Sequence, residues 1–307
     1  MKKMISLFLT LALLCGTLAL ASCSIGSDSS SLSKAYENYL SQVKAPTDAS
    51  LPTLTVAVSP DFAPMEFVDL AKSGADQYVG FDILLANFLA KEMNKKLVIK
   101  PMSFDACMAA VQSGNADLAI SGFSWTAERA ETFLISDYYV AGENETEQIV
   151  ITTKSNAGAF TTAASFAGKK VGAQGGSLQE LLVKEQLVPF GVELVKMENL
   201  NDLVTALKNG QIDALAVAKG NGDAFIAASP DAVDVSGFEF EVDEKYKNNV
   251  ILLNKTDAAL LAEVNTVLAK AMANDYYTGW YEACQVYSEI KTLDELGFDD
   301  NGVKIKE

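Results

Sequence analysis

Arg129 is the only arginine in a chain of 307 residues with 24 basic side chains, and there is no histidine. Everywhere else the chain uses lysine as its base. A solitary guanidinium in such a sequence points to a task that an ammonium does poorly, and planar two-point capture of a carboxylate is that task. The competing reading is a chance arginine in a lysine-rich composition, held in a structural ion pair with Glu128 or Asp137. The missing histidine excludes Ser-His-Asp and Cys-His catalysis and removes the commonest transition-metal ligand.

Other chemistries fail on spacing. Gly220-Asn221-Gly222-Asp223 begins like a dinucleotide fingerprint but lacks the third glycine, and Gly168-Lys169-Lys170 has no upstream phosphate-loop glycine. The acidic residues do not fall at calcium-loop spacing, and no cysteine pair has zinc-site spacing. The sequence therefore calls for no metal and no cofactor. A formal net charge of −16 argues against nucleic acid or an anionic lipid surface as a partner, and reads first as solubility.

The elements that must position Arg129 alternate between strand and helix. Residues 53–58 are β-rich, and Phe81, Leu84, Leu85, Phe88 and Leu89 follow Gly80 at helical spacing. A short strand at 97–99, a helix over 104–112 and a strand over 117–120 come next. A second copy runs through a strand at 170–173, a helix at 177–186, a strand at 192–196 and a helix at 200–208. Gly114 and Gly210 each close a helix, and Asp117 and Asp213 each open a strand three residues later. Such alternation predicts an α/β fold with mostly parallel sheets. Two similar lobes leave a cleft beyond the carboxyl ends of their strands. Residues 257–288 read as helical. Cys107 and Cys284 lie in apolar helical contexts and read as buried thiols rather than a disulfide.

The amino terminus reads Met1-Lys2-Lys3, an apolar run over 4–20, then Leu20-Ala21-Ser22-Cys23. A positive flank, a short apolar core and small residues before a cut site predict a signal peptide over 1–22. The tetrad resembles a bacterial lipobox, which implies lipidation of Cys23 and stable membrane attachment through its acyl chains; an ordinary signal with an incidental cysteine is the alternative. Residues 23–50 open with a serine-rich run and read as a flexible tether, with room for a short helix over 34–44.

Taken together, these segments resemble a known family. The anchors are Thr55-Val56-Ala57-Val58 with Phe62-Ala63-Pro64-Met65-Glu66-Phe67, Val79-Gly80-Phe81-Asp82-Ile83, and Ser113-Gly114-Asn115-Ala116-Asp117. Ser121-Gly122-Phe123-Ser124-Trp125-Thr126-Ala127-Glu128-Arg129 follows, then Ile135-Ser136-Asp137-Tyr138-Tyr139. Gly168-Lys169-Lys170-Val171-Gly172 and Gly210-Gln211-Ile212-Asp213-Ala214 complete the set. In this order the chain resembles family 3, the polar amino-acid type, of the bacterial extracellular solute-binding proteins. The resemblance implies a two-lobed periplasmic-binding-protein-like fold of type II, with a hinge of two crossover segments. Lobe one would be 51–141 plus 248–288, lobe two 142–247, and 289–307 a C-terminal tail.

The resemblance also implies a role for each site residue. Arg129 takes the place of an arginine that grips the ligand carboxylate, and Ser121, Gly122 and Ser124 would complete its solvation. Gly176 and Ser177 would offer helix-end N–H groups across the cleft, although Ser177 reads equally as a helix cap. Phe62 would pack on the ligand side chain and Phe104 and Phe123 would line the pocket, with ordinary core packing as the alternative for each; Trp125 reads as core. Two positions depart from the pattern. Ala218 stands where the family commonly has an aspartate for the ligand ammonium, and Ser59 replaces an acid sometimes found after the first strand. Asp61, Glu66, Glu143 and Asp223 are the acids that could substitute, or the ligand lacks the ammonium.

The implied function is the non-catalytic substrate-binding component of an ABC importer, delivering a small carboxylate, an amino acid first, to a membrane permease and its ATPase. The implied protein is an exported monomer, lipid-anchored on the outer face of the cytoplasmic membrane. A non-amino-acid carboxylate is the alternative cargo. An exported dehydratase on the same scaffold, with Glu66, Glu143 or Lys219 as acid or base, is the enzymatic rival.

Overall fold

The computed structural model describes residues 32–140 and 147–305. Two five-stranded sheets form its frame. The first orders β4 (Lys96–Pro101), β1 (Thr53–Val58), β5 (Leu118–Ala119), β12 (Leu252–Leu253) and β6 (Leu134–Ile135). The second orders β11 (Val233–Glu239), β7 (Gln148–Thr153), β10 (Ala214–Ala218), β8 (Lys170–Gln174) and β9 (Glu193–Met197). A small hairpin pairs β2 (Phe67–Val68) with β3 (Tyr78–Val79).

Each sheet grows from a strand-helix-strand unit. In the first, α2 (Phe81–Glu92) and α3 (Phe104–Gln112) connect strands that pair in parallel, with Val56 set between Ile99 and Leu118. In the second, α5 (Leu178–Gln186) and α6 (Leu200–Lys208) do the same, and Val171 lies between Leu194 and Ala214. The inner strands β1, β8 and β10 are buried along most of their length, as parallel strands under helices must be, while the edge strands β4 and β9 are only partly covered. Phe81, Leu84, Leu85 and Leu89 of α2 are fully enclosed against the first sheet.

The chain passes from the first sheet to the second between Ile135 and Gln148 and returns between Glu239 and Leu252. A strand arriving from the other lobe runs against the local parallel set. β12 is therefore antiparallel to β5 and β6, and β7 to β10 and β11. Each sheet is parallel on one side and antiparallel on the other, a mixture the sequence pattern did not resolve. The two passages also bond to each other. The Tyr139 N–H donates to the Asn249 carbonyl at 2.9 Å and the Asn249 N–H donates back at 3.2 Å. Two adjacent crossing strands of this kind make a hinge.

The expected tether over 23–50 is corrected from residue 34 onward. Lys34–Val43 is a helix, α1, with Ala35, Tyr36 and Val43 buried. It packs on α2 and on α9 (Tyr277–Tyr287), which follows α8 (Ala258–Met272). The Asn38 amide donates to the carbonyls of Asn301 and Gly302, both at 3.0 Å, and Phe298 buries against Ala35, Ala283 and Val286. The short helix for which the sequence left room is present; its packing on distant partners is what the tether reading missed. Cys107 and Cys284 are free and buried. Cys23 and Glu143 lie outside the described residues.

Candidate functional site

Arg129 belongs to α4 (Ala127–Thr132), whose first turn is fixed by the Thr126 hydroxyl accepting the Arg129 N–H at 3.1 Å. The side chain then turns inward and is 5% exposed. Its guanidinium spans the two lobes. Nη1 donates to the Ser124 carbonyl on its own lobe, and Nη2 donates to the Gly176 carbonyl on the other at 2.8 Å. Phe104 and Phe123 stack at 4.4 Å and the guanidinium carbon lies over both rings, at 5.5 and 5.2 Å. Burial draws the Arg129 pKa down to about 10, with Glu128 and Asp105 pulling the other way, so the group stays charged at neutral pH. A guanidinium has five N–H donors. Two are bonded within the protein, and the others can address a carboxylate.

The neighbouring donors are largely committed. Ser121, 1% exposed, gives its one hydroxyl proton to Glu66 Oε1 and accepts the Ser59 N–H at 3.0 Å. The Gly122 N–H donates to Asp82 Oδ2 at 2.8 Å, while the Tyr139 hydroxyl donates to Asp82 Oδ1 at 2.9 Å. Glu66 and Asp82 are both fully enclosed. Burial pushes the Glu66 carboxyl well up and raises Asp82 to about 6. Two adjacent carboxylates without a cation cannot both ionise cheaply, so the pair holds a proton beneath the Ser121-Gly122 turn. These two residues build the floor of the site, and neither expected donor is free for a ligand anion.

The facing lobe differs from expectation in the same way. The Gly176 N–H donates to Glu180 Oε2 at 2.7 Å, and Glu180 Oε1 meets Lys184 at 2.5 Å and Lys196 at 3.2 Å. Ser177 donates its hydroxyl to the Gln174 carbonyl at 2.7 Å and accepts the Glu180 N–H at 3.1 Å. The start of α5 is thus closed by its own carboxylate. Gly176 gives Arg129 a carbonyl instead, and the Ser177 hydroxyl serves as the helix cap. The spacing of Ser177 and Glu180 is that of a capping box, a signal the sequence carried.

Phe62, Phe104, Ser121, Gly122, Ser124, Arg129 and Ser177 come together around one cavity of about 20 Å³, with Gln174, Leu178 and Gln179 completing its wall. Phe123 is fully buried and supports the site from behind, through the guanidinium and the Phe104 ring. Ligand pockets usually run to roughly 300 Å³ or more; here the lobes are closed on one another and leave far less room. A larger hollow, about 720 Å³, lies in lobe one between α1 and β4. Arg129 is not among its lining residues, so the cavity between the lobes is the stronger candidate.

Asp61 contributes a second bridge. Its Oδ2 accepts the Leu200 N–H at 2.7 Å and the Gln174 amide at 3.3 Å, both on lobe two, while its Oδ1 accepts the Ser59 hydroxyl at 2.8 Å. Burial raises its pKa. Asp223 pairs with Lys219 at 2.7 Å, and Ala218, 2% exposed, ends β10 with no polar group to offer.

The family model of the bacterial extracellular solute-binding proteins, family 3, matches residues 54–283. The chain is 27% identical to the arginine-binding extracellular protein ArtP of Bacillus subtilis over 221 residues, covering 72% of this chain and 81% of that one. It is 29% identical to a probable histidine-binding protein of Campylobacter jejuni, covering 66% of this chain and 77% of the relative. The crystal structure of AbpA, an amino acid ABC transporter substrate-binding protein from Streptococcus pneumoniae bound to L-arginine, superposes with a TM-score of 0.69 at 34% identity. That match covers 78% of this chain and 97% of AbpA. Two lobes joined by paired crossings, closed over a buried arginine, accord with these likenesses: the chain belongs to family 3 of the bacterial extracellular solute-binding proteins.

Proposed function

We propose that the chain is the substrate-binding component of an ABC importer and captures a cationic amino acid, of the arginine type, between its lobes. The observation that carries this reading is the position of Arg129, buried at the junction and bonded to both sides of it. The ligand carboxylate meets the free N–H groups of Arg129 and the side chain of Ser124. Phe62 and Phe104 wall the ligand, and Gly122, Gly176 and Ser177 shape the space. Closure is coupled to binding because only the closed form brings both lobes to the ligand.

The acids around the junction favour a cation. Asp105 lies so near that a Cβ on Gly176 would be 2.1 Å from its Oδ1, and burial and Glu180 raise its pKa. Glu180 is paired with Lys184 and Lys196, which among the described residues leaves Asp61 and Asp105 as the acids at this boundary without a lysine bonded to them. Arginine- and histidine-binding relatives support the same class. Ala218 favours a second reading, a carboxylate without an α-amino group, because the acid expected to face the ammonium is absent.

The chain works without catalysis, as a monomer. Residues 1–22 direct export, and Cys23 carries the acyl chains that hold it on the outer face of the cytoplasmic membrane. There it meets a permease and its ATPase. A thermal-shift screen over amino acids and small organic acids tests the cargo, since a ligand of the folded form raises the melting temperature. L-Arginine or L-histidine should raise it. A response confined to acids without an amino group would replace this reading with the second, and no response from either class would remove both.

A further inference from the structure

Asn221 stands three residues beyond Ala218, the position at which an aspartate was expected. β10 ends at Ala218 and α7 (Lys219–Ala228) begins at once. Asn221, 1% exposed, lies in the first turn of α7, and its Nδ2 donates to the Ala63 carbonyl at 3.4 Å. Ala63 is on lobe one, beside Phe62, so Asn221 looks across the junction rather than back into its own lobe. Gly222 explains the orientation. A Cβ there would stand 2.9 Å from Ile149 Cδ1 and 3.0 Å from Val217 Cγ2, so its bare backbone lets the turn press onto β7 and β10.

Among the described residues, Asn221 Oδ1 is buried without a hydrogen-bond donor. Such an oxygen has lost its water and gained nothing, a cost that proteins rarely leave uncompensated. Among the described residues, the acids nominated for the ligand ammonium make other contacts; Glu143 lies outside them. Asp61 holds Ser59, Gln174 and Leu200, Glu66 holds Ser121 and faces Asp82, and Asp223 holds Lys219. Among the described residues Glu66 Oε2 is likewise buried without a donor, but it belongs to the proton-holding pair with Asp82, and Asn221 Oδ1 is the open acceptor that follows Ala218 on the same element junction.

We propose that Asn221 Oδ1 accepts a hydrogen bond from the α-ammonium of the bound amino acid, in the role that Ala218 cannot fill. This rests on the amino-acid reading above. A carbonyl oxygen offers the ammonium a bond without a full countercharge. The α-amino group is recognised, but less strongly than by a carboxylate.

Calorimetry with L-arginine, L-histidine and L-glutamine, each beside its des-amino analogue, tests the assignment. The wild-type chain should prefer an amino acid over its analogue by about tenfold to a hundredfold, the range of one hydrogen bond to a charged group. Asn221→Leu should lose most of that preference while binding the analogue within about threefold of wild type. Asn221→Asp should keep or enlarge it, and serves as the reading if the leucine variant does not fold. A leucine variant that discriminates like wild type overturns the assignment alone, as does an aspartate variant with no preference. A wild-type chain that binds none of the three amino acids better than its analogue overturns the amino-acid reading itself.

Discussion

The carboxylate of Asp61, on lobe one, accepts the backbone N–H of Leu200, on lobe two, at 2.7 Å. Leu200 opens α6, so the bond satisfies an otherwise orphaned helix donor and places a negative charge at a positive helix end. Only the closed arrangement makes it. Asp61→Asn should shift the population toward open lobes and weaken ligand binding by about 1–2 kcal/mol. Small-angle scattering of the unliganded variant should give a larger radius of gyration than wild type; equal radii would show that the bond does not hold the lobes together.

Gly176 is held at φ +72°, and a Cβ there would stand 2.1 Å from Asp105 Oδ1 across the junction. Gly176→Ala should therefore obstruct closure and weaken ligand binding by about tenfold or more, from strain in a left-handed position together with the clash. Adding Asp105→Ala should recover part of the loss. If the double variant binds as poorly as the single one, the clash is not the cause.

The buried pair of Glu66 and Asp82 makes stability depend on pH. Burial raises both folded pKa values, Asp82 to about 6, so the folded chain binds more protons than the unfolded chain between the ordinary carboxylate range and that value. Stability from this pair is present at low pH and falls as pH rises through that window. In Glu66→Gln the amide can donate to Asp82, and the decline in melting temperature between pH 4.5 and about 7 should flatten. An unchanged decline would place the protons elsewhere.

How much of this was legible beforehand depends on range. Parallel units such as β4, α3 and β5 announce themselves through local apolar spacing and a closing glycine, here Gly114. Arg129 stood out by composition alone. The antiparallel crossings could not be read, because β12 has two residues and its pairing partners lie more than 110 positions away. Donor commitments were equally hidden. Ser121 and Gly122 look like anion donors in sequence, and only folding brings Glu66 and Asp82 beneath them to use those hydrogens. The capping relationship of Ser177 and Glu180 was available from spacing and displaces the expected anion site at Gly176.

The helix α1 is structural, since Tyr36 is fully enclosed and its ring lies 5.2 Å from that of Tyr287. Removing residues 1–44 should lower the melting temperature by several degrees, the effect of losing one or two buried aromatic or aliphatic contacts. The ligand affinity of the folded fraction should change little, because no residue of α1 lines the cavity at Arg129. A truncated chain that melts like the full one would return this segment to the status of a tether.

The claim on which the account depends is that Arg129 grips the carboxylate of the ligand. Calorimetry with L-arginine and with L-argininamide, which lacks that charge, measures it most directly. Wild type should bind L-arginine more tightly than the amide, and Arg129→Ala should lose about 2–4 kcal/mol toward L-arginine while binding both ligands alike. An Arg129→Ala variant that still prefers L-arginine as strongly as wild type does would contradict the account.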